Sequence, residues 1–278
     1  MEQANPVKKV MITGAYGLIG NIVFAHLAAQ PARYDAYAMV RRLKPSARAI
    51  QMDFTDLPVE KARIADLTDV DALQQAVAGM DVVVHMAGDP DGRSGWESVL
   101  NNNIIGAHNL FEACRLGGVK RVIYASTNQV VFGYMNRGPL QPVVKSDAER
   151  RLPNDTPRID HTQPTRPLNY YACSKVFGEG LAHMYAQTHG MSCICLRIGW
   201  VTSDDQVWSS RARAIWCSQR DVINLVECSI NAPDALRFDI FFGHSDNADN
   251  FVDIQHAKDV LGYSPQDHAE DRPIVSPT

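Results

Sequence analysis

Of the nine tyrosines in the chain, only Tyr171 is followed four residues later by a lysine, Lys175. On a helix, residues i and i+4 share a face, so the phenol and the ammonium can enter one pocket. A phenol with a pKa of about 10 is a poor base near neutral pH, and a neighbouring cation lowers that pKa by favouring the phenolate. Such a pair could take a hydroxyl proton while hydride leaves the same carbon; the competing reading is an inert surface pair. A second polar group, Ser126-Thr127-Asn128-Gln129, ends the apolar run Val122-Ile123-Tyr124-Ala125. Polar residues at the carboxyl end of a buried strand lie where open α/β sheets bind ligands. A third feature is Thr13-Gly14-Ala15-Tyr16-Gly17-Leu18-Ile19-Gly20, with Gly14, Gly17 and Gly20 three apart, directly after an apolar run. Glycine lets backbone approach a pyrophosphate, and a following helix N-terminus offers it free N–H groups and partial positive charge. Tyr16, Leu18 and Ile19 lie in that turn and are expected to touch the cofactor.

The elements that must position these groups alternate regularly. Apolar strands are expected at Lys9 to Thr13, Ala36 to Val40, Val82 to Met86, Val119 to Ser126 and Cys193 to Ile198. Helices are expected at Ile19 to Ala29, Val70 to Ala78, Trp96 to Arg115 and Tyr171 to Thr188. This rhythm predicts an α/β fold, a doubly wound parallel Rossmann-type sheet. Met52 to Arg63 and the proline-rich stretch Gly138 to Pro167 break it and read as surface loops. From Val201 the pattern is irregular, with a helix expected around Arg220 to Asn231, a strand at Arg237 to Phe242 and a helix around Ile254 to Leu261. One domain is expected, with residues 1–200 mainly binding cofactor and 201–270 forming a small C-terminal substrate cap.

The second strand ends in Met39-Val40-Arg41-Arg42, where a dinucleotide fold usually places an acidic residue for the adenosine ribose of NAD. Two guanidiniums suit a 2′-phosphate and offer no acceptor to a free hydroxyl, so NADP is favoured, with NAD the alternative. A solvated basic loop is the plain reading of the same pair.

Composition narrows the partners. The 278 residues carry 27 basic against 31 acidic side chains, net −4, and 45% are apolar. The chain is long enough for a continuous core and lacks the concentrated basic charge of a nucleic-acid groove. None of the six cysteines forms a C-x-x-C pair; they read as reduced thiols, and no metal site is expected. The N-terminus lacks the pattern of a signal peptide, and no stretch approaches the roughly 18 apolar residues of a membrane span. The expectation is a cytoplasmic protein acting on a small molecule.

The Gly-rich turn, the hydroxyls after the fourth long strand and Tyr171-x-x-x-Lys175 together resemble the extended short-chain dehydrogenase/reductase family over nearly the whole chain. Within it, the sequence is similar to uronate dehydrogenases and the archaeal NAD-dependent glucose-6-phosphate dehydrogenase group. Five segments carry that likeness: His85 to Pro90, Asn103 to Ala107, Ala125 to Asn128, Arg197 to Gly199 and Gly262 to Asp267. The resemblance implies Thr127 as the hydroxyl that orients substrate, Tyr171 as acid/base, and Lys175 as pKa modifier and ribose anchor. It places Asp66 and Leu67 at the adenine and Met86, Ala87, Gly88, Asn103 and Ile198 along the cofactor. Asp89, Asn128, Gln129, Trp200 and Arg211 fall beside the substrate, Arg211 holding its anionic end as a forked guanidinium can. For Arg211 the plain reading is a solvated helix residue. It also suggests a homodimer formed through helices.

Trp200 stands where uronate dehydrogenases carry a small polar residue; it either stacks on a sugar face or fills core. The activity implied is oxidation of the C1 hydroxyl of a cyclic, anionic sugar to a lactone. Two alternatives remain: a nucleotide-sugar epimerase or dehydratase with tightly held NAD, and a non-catalytic NADP-binding protein of the same fold. The short segment after Val201 disfavours the first, and the presence of Thr127, Tyr171 and Lys175 the second.

Overall fold

In the computed structural model, residues 6–44, 54–136, 140, 152 and 156–275 are described. Seven strands form one sheet: β1 (Lys8–Thr13), β2 (Tyr34–Val40), β3 (Ala62–Ile64), β4 (Val82–His85), β5 (Arg121–Thr127), β6 (Ser192–Ile198) and β7 (Phe238–Gly243). Every pair is parallel and the order is β3-β2-β1-β4-β5-β6-β7. The direction of winding reverses between β1 and β4, so a crevice opens there at the carboxyl ends, the place for a dinucleotide.

Side-chain alternation explains both faces. Val10, Ile12, Ile123, Ile194 and Leu196 pack on α1 (Leu18–Ala28) and, later in the chain, α6 (Gln219–Ile230) and α7 (Gln255–Leu261). Met11, Val122, Tyr124, Cys193 and Cys195 pack on α2 (Val70–Val77), α4 (Gly106–Leu116) and α5 (Tyr170–His189). Cys193 and Cys195 share one face, as their spacing predicts, and serve there as small apolar residues, both fully buried.

The structure differs from the sequence reading in three places. The helix expected from Trp96 to Arg115 is divided into α3 (Trp96–Val99), a π-helical stretch Leu100–Ile105, and α4. The edge strand β3 was not expected; it has three residues, at the end of a stretch read as loop. The C-terminal third also contributes less to a cap than its irregular pattern suggests. β7 extends the main sheet, and α6 packs on α1 through Val222, Leu225, Val226 and Ile230, a stripe at helical spacing. The segment that follows β6 is bridged from Trp200 to Trp216. Much of Gly138 to Pro167, including Pro139, Pro142 and Pro153, lies outside the described residues. Among the described residues, no helix is long and apolar enough to cross a membrane.

Candidate active site

The glycine turn after β1 is imposed by close approach. Gly14 has φ +68°, and a Cβ there would lie 2.8 Å from the Ala87 nitrogen; a Cβ on Gly20 would lie 2.3 Å from the Gly14 carbonyl. Gly17 is the N-cap of α1 and supplies no side-chain cap, so the first N–H groups of that eleven-residue helix stay available to an anion. Across the crevice, Thr13 Oγ1 accepts from Ala87 N at 3.0 Å and pairs with His85 Nδ1 at 2.9 Å, tying the ends of β1 and β4. Burial, and after it the charge of Lys175, pushes His85 down to about 3, so its ring is neutral.

Residues expected along the cofactor line this crevice in part directly and in part as support. Met86, Ala87 and Gly88 follow β4, and Gly88 (φ +151°) lies against Asn103 Oδ1 and Lys175 Nζ. Asn103 projects from the π-helical stretch, whose widened turn aims it inward. It accepts from Asp89 N at 2.7 Å and donates to Asp89 O at 3.0 Å and Ser174 Oγ at 3.1 Å, clamping the loop to α5. Asp89 itself is engaged by Ser98 Oγ and Asp91 N. Asp66 and Leu67 follow β3; Asp66 accepts from Thr68, first through its N–H and then its hydroxyl, and these bonds, with Arg41 contributing, lower its pKa. Arg41 and Arg42 are exposed after β2, and Tyr16 Oη donates to Leu43 O at 3.0 Å, fastening that basic turn to the cradle. Ile198 is buried at the carboxyl end of β6.

Thr127, Tyr171 and Lys175 converge. The Thr127 hydroxyl is near enough to the Tyr171 phenol to lower its pKa, and Lys175 Nζ stands 5.7 Å from the Tyr171 ring centre and 5.0 Å from that of Tyr124. All three side chains are buried. Burial reverses one expectation. It pushes Tyr171 up to about 12, with Thr127 the group that opposes the rise, and pushes Lys175 down to about 8. Desolvation outweighs any help from the lysine. What holds α5 in this register is a buried network that the sequence did not signal. Glu179 accepts from Arg197 Nε and Nη2, both at 2.9 Å, and from Ser126 Oγ at 2.6 Å, joining α5 to β6 and β5. Gly178 permits the contact, since a Cβ there would fall 2.1 Å from Tyr124 Oη.

Of the residues expected beside the substrate, Asn128 is buried with Nδ2 3.0 Å from His244 Nε2, and Gln129 Oε1 accepts from Asn169 Nδ2 at 3.0 Å. Gly199 brings three segments together: a Cβ would lie 2.5 Å from Ile215 O and 2.9 Å from His244 Cδ2. Trp200 is 38% exposed and meets Trp208 edge to face at 5.2 Å, so it is not a core residue. Arg211 begins a short 3₁₀ turn, exposed and unpaired among the described residues; Arg213 beside it is half-buried with its Nε unpartnered. His161, Asp239 and His256 are near enough to suggest a metal trio. Yet the two imidazoles stack at 3.7 Å and 8°, so their lone pairs run side by side and do not converge on one ion.

Residues 10–215 match the NAD dependent epimerase/dehydratase family. The chain is 34% identical to NAD-dependent glucose-6-phosphate dehydrogenase of Haloferax volcanii, over 94% of each protein. It is 30% identical to L-arabinose 1-dehydrogenase (NAD(P)(+)) of the same organism, over 94% of this chain and 97% of that one. Among solved structures, uronate dehydrogenase from Agrobacterium tumefaciens in complex with NAD superposes with a TM-score of 0.73 at 29% identity, covering 96% of this chain and 87% of the other.

Proposed function

The chain belongs to the NAD dependent epimerase/dehydratase family, and we propose that within it the protein is an NAD(P)-dependent dehydrogenase oxidising the C1 hydroxyl of a cyclic, anionic sugar to a lactone. The observation that carries this reading is the meeting of Thr127, Tyr171 and Lys175 beside a glycine cradle that leaves backbone N–H groups free for a pyrophosphate. Its sugar relatives, named for glucose 6-phosphate, arabinose and uronate, support the substrate class.

Gly14, Gly17 and Gly20 would hold the pyrophosphate, and Lys175 the nicotinamide ribose. The cofactor, when bound, supplies the hydride acceptor. Tyr171 takes the proton from the sugar O1, and Thr127, beside the phenol, orients that hydroxyl. Lys175 stabilises the phenolate once the cleft is filled. Asn128, Gln129 and Trp200 contact the ring, and Arg211, an unpaired cation on the cap, takes the carboxylate or phosphate. Arg41 and Arg42, at the end of β2 where such a fold usually has an acidic residue, favour NADP over NAD. An exposed apolar stripe on α5, Tyr170, Phe177 and Met184, with Trp96 against Tyr170, supports a homodimer built on that helix.

The test is reduction of NAD and NADP, followed at 340 nm, against aldoses, hexuronates and hexose phosphates. Turnover of an acidic sugar is expected, with Arg211→Ala raising its KM. Turnover of neutral sugars alone would remove Arg211 from its role, and no turnover of any sugar would overturn the function.

A further inference from the structure

Selectivity at the sugar depends on what the neighbouring amides present to it. An amide offers either an acceptor or a pair of donors, and the partners behind it decide which atom turns outward. For Asn128 that partner is His244, and the sense of their contact follows from a chain anchored on backbone groups. The Ala269 N–H donates to Asn247 Oδ1 at 2.9 Å, and Asn247 Nδ2 donates to the Trp216 carbonyl at 2.8 Å, so this amide has one orientation. Asn250 Nδ2 donates to the Ser245 carbonyl at 2.8 Å. That turns Asn250 Oδ1 towards His244 Nδ1, 2.9 Å away, where it also accepts from Asn247 Nδ2 at 3.2 Å. An amide oxygen only accepts, so His244 Nδ1 carries a proton.

His244 is fully buried, and Asn128, Asn247 and Asn250 nearly so. Burial pushes the imidazole down to about 4, against the opposing influence of Asn250 and of the Ala214 backbone, so near pH 7 it has a single proton. With that proton on Nδ1, Nε2 is an acceptor and Asn128 must donate to it through Nδ2. Asn128 Oδ1 is turned away from His244, and among the described residues no donor reaches it. The Tyr263 hydroxyl, 2.8 Å from the His244 carbonyl, fixes the histidine backbone and gives the Gly262 to Asp267 segment a part in this arrangement.

Gln129 is locked in the opposite sense. At the start of α5 the Ala172 N–H donates to Asn169 Oδ1 at 2.7 Å, so Asn169 Nδ2 donates to Gln129 Oε1 at 3.0 Å. The Gln129 NH2 group is what remains to face the cleft. We infer that Asn128 presents an acceptor and Gln129 a donor to the sugar: a substrate hydroxyl sits against Asn128, an acceptor oxygen such as a carboxylate against Gln129. His244, Asn250 and Asn169 are the positioning residues. The inference rests on the reading that residues 128 and 129 line the sugar site.

The tautomer is read without substrate, from long-range proton–nitrogen correlation spectra of ¹⁵N-histidine-labelled protein at pH 7. His244 is assigned by its loss in His244→Gln or, where that variant does not fold, by the shift that Asn128→Ser produces. A protonated Nδ1 with bare Nε2 is expected; the Nε2–H tautomer or an imidazolium overturns the relay. Gln129→Glu then puts an anionic acceptor where the donor stands. KM for D-glucuronate rises at least about tenfold and rises less for L-arabinose; an unchanged or lower KM for glucuronate overturns the donor assignment. If the unaltered enzyme oxidises neither sugar, the sugar reading and the substrate half of this inference fail together, while the spectrum still decides the relay.

Discussion

Replacing Glu179 tests whether the buried ion pair behind the site sets the position of α5. Glu179 and Arg197 are 5% and 2% exposed, and the carboxylate accepts two bonds from the guanidinium and one from Ser126. Among the described residues Arg197 Nη1 already lacks a hydrogen-bond partner, and the Phe242 ring lies 5.2 Å from the guanidinium. Glu179→Leu therefore strands a cation in the core, at a cost of about 3–5 kcal/mol. For a chain of this size each kcal/mol shifts Tm by roughly 2–4 °C, so a fall of roughly 6–20 °C is expected. The measurement is thermal unfolding by circular dichroism of Glu179→Leu, Arg197→Met and the double variant. Because desolvation consumes most of the Coulombic gain of such a pair, the double variant regains much of what either single one loses. Glu179 lies four and eight residues after Lys175 and Tyr171 on the same helix, so kcat of the single variants also falls at temperatures where they remain folded. A loss under about 1 kcal/mol in both single variants, or a double variant equal to their sum, would refute the reasoning.

Three further outcomes are expected. On the proposed mechanism the working base is the ionised Tyr171, which burial pushes up to about 12, so its ionised fraction grows as pH rises: log kcat/KM for sugar oxidation climbs with slope near +1 from pH 6 and bends near 8, where Lys175 loses its proton. Tyr171→Phe lowers the rate by roughly 10²–10⁴, and a flat profile between pH 6 and 8 contradicts the assignment. Removing both guanidiniums, Arg41→Ala with Arg42→Ala, lowers the NADP-to-NAD ratio of kcat/KM by at least about tenfold, since bonds to a charged phosphate contribute about 1.5–3 kcal/mol; an unaltered ratio rules out the 2′-phosphate role. Phe177→Glu on the exposed stripe of α5 halves the mass found by light scattering after gel filtration, and a monomeric parent at tens of micromolar ends the dimer reading.

What could be read from the sequence shares one property: the constraint is local. Gly14 and Gly20 are demanded by backbone contacts within their own turn and with Ala87, and Tyr171 with Lys175 needs only the helical repeat. What could not be read depends on partners far along the chain or on solvent. β3 is three residues long and Ile64 in it is 56% exposed, so no run of apolar residues marks it. α6 has a legible period, but the surface it covers is α1, some 200 residues earlier. Asn128 and His244 are 116 residues apart, and neither residue type alone announces a relay. The Tyr171–Lys175 pair shows the same limit at close range. Spacing correctly brings a cation to the phenol, but the sign of the net shift is set by how much water the surrounding elements exclude, and here they exclude enough to push both groups towards their neutral forms.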